Sequence, residues 1–145
     1  MSELIQKATQ MINDFVTEKG IKAKDVYDAD KQIWRLQRGS AAIQILLLSV
    51  PVGENQIREF LQVASPLMKI PAGNELAFYR RLLELNDLKL GVKLSIQRDS
   101  EQVWALYERD LIGMNYTELK TCLEDLGYWA DDLDDLLIEE FGGSK

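Results

Sequence analysis

The side chains in this sequence with the greatest capacity for chemistry are carboxylates, and most of them lie near the C-terminal end. From Glu118 to Glu140 there are nine acidic residues and one base, Lys120. This stretch carries a charge of -8, so the rest of the chain contributes about +1 to the net charge of -7. Its densest part lacks the central glycine and the oxygen spacing of a calcium-binding loop. A solvated helix face is therefore the favoured interpretation, with a docking surface for a basic partner segment as the second.

Few other residues could support catalysis. The sequence contains no histidine, which removes the commonest general base and the commonest metal ligand. Cys122 is the only cysteine, so neither an internal disulfide nor a thiolate cluster can form. The carboxylates of Glu54, Glu59 and Glu84 show no spacing typical of an acid–base pair. We therefore expect no enzymatic activity, no bound metal ion and no cofactor.

Length and composition indicate one ordinary domain, residues 1–145. The chain has 46% hydrophobic and 28% charged residues, as globular proteins do, and can bury a core without disulfides. A pI near 4.7 argues against nucleic acid and against anionic membranes as partners. No apolar run approaches the roughly 20 residues of a membrane span, and the first ten residues do not form a secretory signal. A cytoplasmic location is the resulting expectation.

Hydrophobic periodicity divides the chain into eight elements. The predicted helices are Ser2–Glu18 with Ser2 as its N-cap, a second with Asn74 as its N-cap that ends at Asn86, and a third that follows the capping pair Asn115 and Glu118. The predicted strands are Gln32–Gln37, Ala41–Val50, Ile57–Ala64, Val92–Gln97 and Val103–Arg109.

The order α-β-β-β-α-β-β-α predicts an α+β fold, with a five-stranded antiparallel sheet and helices packed on one face. Arg38-Gly39-Ser40 is predicted to join the first two strands as a tight hairpin connection. Pro51 is expected to end the second strand, and Ser65-Pro66 is expected to end or distort the third. Gly127 is expected to bend or split the final helix.

Several strands are apolar on both sides, and this marks a candidate binding surface. If helices cover one face of the sheet, a second set of apolar side chains remains on the other, a surface that soluble monomers rarely leave open. Its cover is predicted to be a second subunit, a bound peptide, or the C-terminal helix folded across it. The side chains in question are Leu46, Leu48, Phe60, Trp104 and Leu106.

Two aromatic residues in the acidic helix form a second candidate. Tyr128 and Trp129 lie beside the carboxylates and have the character of an interface anchor. The alternative is that Trp129 packs into the core near Gly127. Core or edge packing is likewise an alternative role for Trp104.

Four segments carry a resemblance to a known group of proteins. They are the opening amphipathic helix, IWRLQRGSAAIQILLLSV, PAGNELAFYRRLLELN and VKLSIQRDSEQVWALYERD. Their order along the whole chain resembles the type III secretion chaperone-like fold, which includes the YbjN-like bacterial domains and related small cyanobacterial proteins. Members of the secretion type are non-enzymatic dimers that hold partner polypeptides in extended form, and YbjN-like members are implicated in regulation or protein stabilisation.

The resemblance implies a non-enzymatic, chaperone-like module that binds another polypeptide and forms a homodimer. The segments carry no feature of a secretion apparatus, so a role in secretion does not follow from the fold. A different function remains open, that of a regulatory domain that binds a small ligand and acts on signalling or transcription. A closed cavity with convergent polar groups would favour that alternative.

Overall fold

A computed structural model describes residues 1–88 and 91–145 of the chain. The helices are α1 (Glu3–Glu18), α2 (Ala23–Val26), α3 (Glu75–Asp87) and α4 (Tyr116–Phe141). The strands are β1 (Tyr27–Asp28), β2 (Ile33–Arg38), β3 (Ala41–Val52), β4 (Gln56–Lys69), β5 (Lys93–Ile96) and β6 (Gln102–Asp110). They form one antiparallel sheet in the order β1-β2-β3-β4-β6-β5. The predicted α+β class and antiparallel sheet are confirmed.

The prediction of five strands was wrong, because the structure has a sixth, β1, at the edge of the sheet. This strand has two residues, which is too short to produce an alternating pattern in the sequence. Tyr27 lies opposite Trp34, with 4.6 Å between their ring centroids. The aromatic contact holds the segment against β2. Such a contact cannot be predicted from the periodicity of the sequence. The short helix α2 was also absent from the prediction.

Pro51 does not end its strand as predicted, whereas Pro66 distorts its strand, which is one of the two predicted outcomes. Pro51 lies inside β3, in the part that extends beyond the pairing with β2, so its missing N–H is not needed there. Pro66 lies inside β4 where the register against β6 shifts between Pro66 and Met68. Such an irregularity is a site where a strand tolerates proline. β3 and β4 are consequently longer than the sequence pattern indicated.

The final helix, α4, is continuous rather than split at Gly127. Its first turn has the predicted capping box, in which the Asn115 side chain accepts from the Glu118 N–H and the Glu118 side chain accepts from the Asn115 N–H. A Cβ atom on Gly127 would lie 2.9 Å from Arg38 Cδ and 3.1 Å from Ile43 Cδ1. The glycine therefore allows close approach of the β2–β3 hairpin to the helix.

All three long helices pack on one face of the sheet. In β3 the core residues include Ala41, Ile43 and Ile45, and the neighbouring strand β4 contributes Leu61 and Val63 to the same face. Helix α4 covers this layer with a row of buried residues at helical spacing, namely Leu119, Leu123, Leu126, Ala130, Leu133 and Leu137. One continuous core therefore lies between the helices and this face.

The β2–β3 turn, Gly39-Ser40, is fastened to α4 by a carboxylate. Asp131 Oδ1 accepts from the Ser40 N–H at 3.0 Å and from the Ser40 hydroxyl at 2.8 Å. These two bonds, the backbone one first, hold the pKa of Asp131 below its ordinary value. Gly39 has φ +55, and a Cβ atom there would lie 2.5 Å from Asp131 Oδ1. The turn thus needs a residue without a side chain.

We expect Gly39→Ala to lower the free energy of unfolding by roughly 2–3 kcal/mol, because it adds left-handed strain and pushes the Asp131 carboxylate away from Ser40. Gly20→Ala is the matched control. Gly20 has φ +78 with open space around its Cβ position, so it tests the strain alone, at about 1 kcal/mol. If urea unfolding gives the same loss of unfolding free energy for both variants, the contact with Asp131 does not contribute to stability.

Candidate functional site

The second face of the sheet carries the predicted apolar side chains. Because side chains alternate along a strand, Leu46 and Leu48 in β3 point away from the core residues Ile43 and Ile45. Register places the other predicted residues on the same side: Phe60 in β4 and both Trp104 and Leu106 in β6. We call this surface the open face. Among residues 1–88 and 91–145, no helix packs on it.

This arrangement answers one question that the sequence left open. The C-terminal helix does not fold across the open face, because its buried residues, such as Leu126 and Leu133, belong to the core on the opposite side. None of the five predicted open-face residues belongs to that core cluster, although Leu106 is only 7% exposed. The alternative in which α4 covers the second face was therefore wrong.

Register across the strands joins the five side chains into one strip. Leu48 lies directly opposite Phe60, and Leu106 lies directly opposite Ala64. Leu46 is a diagonal neighbour of Ala64, within the range at which cross-strand side chains interact. The strip continues through Trp104, which is paired with Pro66, and at its other end through Ile33 and Val50.

The sequence did not mark Ile33, Val50, Ala64 and Pro66 as part of this surface. Their placement depends on which residues face one another across strands, and pairing register is not contained in the periodicity of a single strand. Val50 is 37% exposed, whereas Ala64 is buried between its neighbours. The open face is thus larger than predicted and includes side chains of several sizes.

Polar side chains lie among the apolar ones: Gln62 lies opposite both Leu46 and Glu108, and three ion pairs lie on the same face. Arg58 pairs with Asp110, Lys93 with Glu108, and Arg35 with Asp28. The hydrogen bond from Lys93, followed by that from Gln62, holds the pKa of Glu108 below its ordinary value. The Ile112 N–H, and then Arg58, do the same for the pKa of Asp110.

The two charges of each pair largely neutralise one another, so the ion pairs add little net charge to the open face. Surfaces that bind other proteins likewise combine apolar side chains with polar ones.

The far edge of the sheet is closed to further strands. Asn86, at the end of α3, donates through Nδ2 to the Leu94 carbonyl at 3.2 Å and accepts through Oδ1 from the Leu94 N–H at 2.7 Å. These bonds occupy main-chain groups of β5 that an additional strand would use. Binding through the open face is thus distinct from pairing at this edge.

The two predicted aromatic residues of α4 do not belong to the open face. Tyr128 is 52% exposed and makes an edge-on contact with Trp129, with 5.0 Å between ring centroids. Trp129 is half-buried and packs against the core. The seven residues predicted for protein binding thus form two separate groups on opposite sides of the domain.

The acidic residues of α4 have more than one role. Asp134 is only 1% exposed; it accepts from the Ser40 hydroxyl and pairs with Lys145 at 2.7 Å. Glu140 pairs with Arg81 on α3 at 2.9 Å. Within the two described ranges, no three acidic or cysteine side chains are arranged to hold a metal ion. Part of the acidic run therefore fastens α4 to its neighbours.

Other residues that were considered for catalysis make contacts within the fold. The Glu59 carboxylate accepts from the Ser2 hydroxyl, and Glu84 pairs with Arg80 at 3.0 Å. Cys122 is buried beside Tyr107, and burial raises the pKa of its thiol. In the part of the chain that the structure describes, no helix is long and apolar enough to cross a membrane.

Comparison with solved structures identifies the fold. A chain of the ExsC–ExsE complex matches with a TM-score of 0.68 and 15% identity, covering 94% of this chain and 97% of that chain. A chain of the HopA1–SchA chaperone–effector complex matches with a TM-score of 0.67 and 13% identity, covering 93% and 98%. YbjN, a putative transcription regulator from E. coli, matches with a TM-score of 0.58 and 14% identity, covering 88% and 92%.

No protein-family model matches the sequence, and no curated protein matches it either. The structural similarity nevertheless extends over nearly the whole domain. The chain therefore has the fold of the type III secretion chaperones and of YbjN, as its sequence resemblance indicated. At these identities the similarity defines the fold alone.

Proposed function

We propose that this protein is a non-enzymatic, chaperone-like module that holds or stabilises another polypeptide on the open face of its sheet. The observation that carries the proposal is the apolar strip that runs from Leu48 to Trp104 without a covering helix in the described structure. Large exposed apolar strips mark protein-binding sites. The similar chains of known structure that are chaperones bound to effector proteins add support.

The proposal includes a homodimer in the cytoplasm. Besides the open face, helix α3 exposes Leu76 and Leu83, which are 85% and 70% accessible and lie on its outer side. A second copy covering these leucines would leave the open face available to the partner. Light scattering at working concentration should give twice the mass of the 145-residue chain. A mass equal to one chain would exclude the dimer.

The ligand-binding regulator is a weaker candidate. A hollow of about 690 Å³ lies between α1, α4 and the β2–β3 hairpin, which is within the size range of small-molecule sites. It is an open groove, however, and two of its charged residues, Lys19 and Glu124, pair with each other at 3.2 Å. A ligand-binding regulator requires an enclosed cavity with free convergent polar groups, and the groove does not provide one.

Capture of the tagged protein from soluble extract of its own organism, at low and at high salt, tests the proposed function. We expect one polypeptide to be retained in constant stoichiometry, and to persist at high salt because apolar burial is not screened. Recovery of the protein alone at both salt concentrations would refute the proposal.

A further inference from the structure

A second surface lies on the opposite side of the domain from the open face. It is the groove between the end of α1, the β2–β3 hairpin and α4. The half-buried side chains of Ile21 and Leu36 supply its accessible apolar surface, above the buried residues Phe15, Ile43 and Leu123, while Tyr128 stands at its rim. We call it the α1–α4 groove.

The groove continues into a neighbouring hollow of about 470 Å³. The two hollows share lining residues, among them Ile21, Leu36 and Ile43, so together they form one trough around the end of β2. A trough of this extent is longer than a small ligand requires. Its shape fits a segment of polypeptide chain.

The basic residues along the trough are already engaged. Lys19 pairs with Glu124 at 3.2 Å, and Arg38 Nη1 donates to the main-chain oxygen of Glu124 at 3.1 Å. Arg35 pairs with Asp28 at 2.9 Å. These cations are therefore poorly placed to attract an acidic partner.

A row of carboxylates begins at the groove and follows the outer side of α4. Asp125, Asp132, Asp135 and Glu139 recur at helical spacing with Tyr128 between the first two. Among the described residues none of the four makes an ion pair. Negative charge is crowded here, since the neighbouring Asp134 raises the pKa of Asp135.

The length of this row matches a short peptide. The fourteen steps from Asp125 to Glu139 correspond to about 21 Å along the helix axis. About six residues of extended chain span the same distance. The row is therefore long enough to face several basic side chains of one bound segment.

We propose that the α1–α4 groove binds a segment of the partner polypeptide in which apolar residues are followed by lysines or arginines. The apolar side chains lie on Ile21 and Leu36 and beside Tyr128, and the basic side chains lie along the carboxylates of α4. This inference rests on the proposed function, because it assumes a polypeptide partner. It adds a second, electrostatic contact to the apolar contact on the open face.

The test uses a fluorescein-labelled peptide with three leucines alternating with serines, followed by four lysines, and a matched peptide with glutamates in place of the lysines. In fluorescence anisotropy we expect the lysine peptide to bind at least tenfold more tightly than the glutamate peptide. The affinity should fall steeply between 50 and 300 mM salt, since exposed charges are screened. Equal binding of the two peptides would overturn the inference.

Charge-removing variants locate the site. The triple variant Asp132→Asn, Asp135→Asn, Glu139→Gln changes only exposed side chains and is expected to bind the lysine peptide at least tenfold more weakly. The matched control is Glu54→Gln, Glu75→Gln, Glu101→Gln, which removes the same charge elsewhere on the surface. Equal losses in the two variants would show that binding follows net charge and would refute the α4 site.

Tyr128→Ser tests the rim of the groove. Tyr128 is exposed, so the variant should remain folded, and we expect it to bind the lysine peptide severalfold more weakly. The proposed function is tested separately by partner capture. If the α4 triple variant retains the partner in full at low and at high salt, the inference about the groove is refuted, while the proposed function is not. Absence of any captured partner would remove the function itself.

Discussion

Replacing Leu46 and Leu48 together with serine is expected to weaken binding of the partner polypeptide at least about 100-fold. Both side chains lie on the open face, in the apolar strip beside Phe60. A few central apolar residues supply most of the free energy of a protein interface, so loss of two should cost at least about 2.7 kcal/mol, which corresponds to 100-fold. Both leucines are half-buried and outside the core, so the domain should remain folded.

The matched control for this variant is Ile57→Ser. Ile57 belongs to the same β3–β4 hairpin and is 73% exposed, but it pairs with Pro51 and points to the other side of the strands. We expect it to bind the partner as the unmodified protein does. Titration calorimetry compares the three proteins, with circular dichroism to verify folding. Unchanged binding by the folded leucine variant would show that the open face does not bind the partner.

The second large effect is expected in the free energy of unfolding. Phe78 is completely buried and anchors α3, and its ring lies 5.1 Å from that of Phe141 in an edge-on arrangement. Phe78→Ala removes this contact and leaves a cavity, which costs about 3–5 kcal/mol when a buried phenylalanine is truncated. A loss of this size is a large fraction of the stability of an ordinary domain.

Arg80→Ala on the same helix is the control for Phe78→Ala. Arg80 is largely exposed and pairs with Glu84 one turn later, an interaction worth well under 1 kcal/mol. Urea unfolding should therefore separate the two variants by several kcal/mol. Similar midpoints would mean that α3 is not held by the core as the structure indicates.

Much of the fold could be predicted because the relevant signals are local. Ser2 caps α1 by accepting from the Ile5 N–H at 3.1 Å, and Asn115 with Glu118 caps α4, both as expected from residue type and spacing. Gly39-Ser40 forms the turn of the predicted hairpin. Such signals act within a few residues and are therefore visible in the sequence.

The errors arose where distant residues decide the outcome. β1 exists because Tyr27 packs on Trp34, and Pro51 is accommodated because the pairing of β3 with β2 ends before it, at Leu46. Gly127 reads as a helix breaker in isolation, whereas in the structure it makes room for Arg38. Asn74 was expected to cap α3 with its side chain, but it adopts φ 56 and makes no such bond. None of these contacts leaves a periodic pattern.

The candidate site also combines features set by local sequence with features set by distant contacts. Alternation along β3 was sufficient to place Leu46 and Leu48 on a second face, because it depends on one strand only. Whether that face was covered by α4 could not be read from the sequence, because the helix is apolar on one side whichever face it meets. The choice follows from tertiary packing, which puts the apolar row of α4 on the core side.

The most direct test of the central claim is photo-crosslinking from the open face in living cells. A benzoylphenylalanine in place of Phe60 changes one half-buried aromatic residue to a related one, and the same group in place of Ile57 samples the other side of the hairpin. We expect a covalent adduct with one defined polypeptide from position 60 and none with that polypeptide from position 57. Absence of an adduct at position 60, or an adduct only with a second copy of this chain, would contradict the claim that the open face binds another polypeptide.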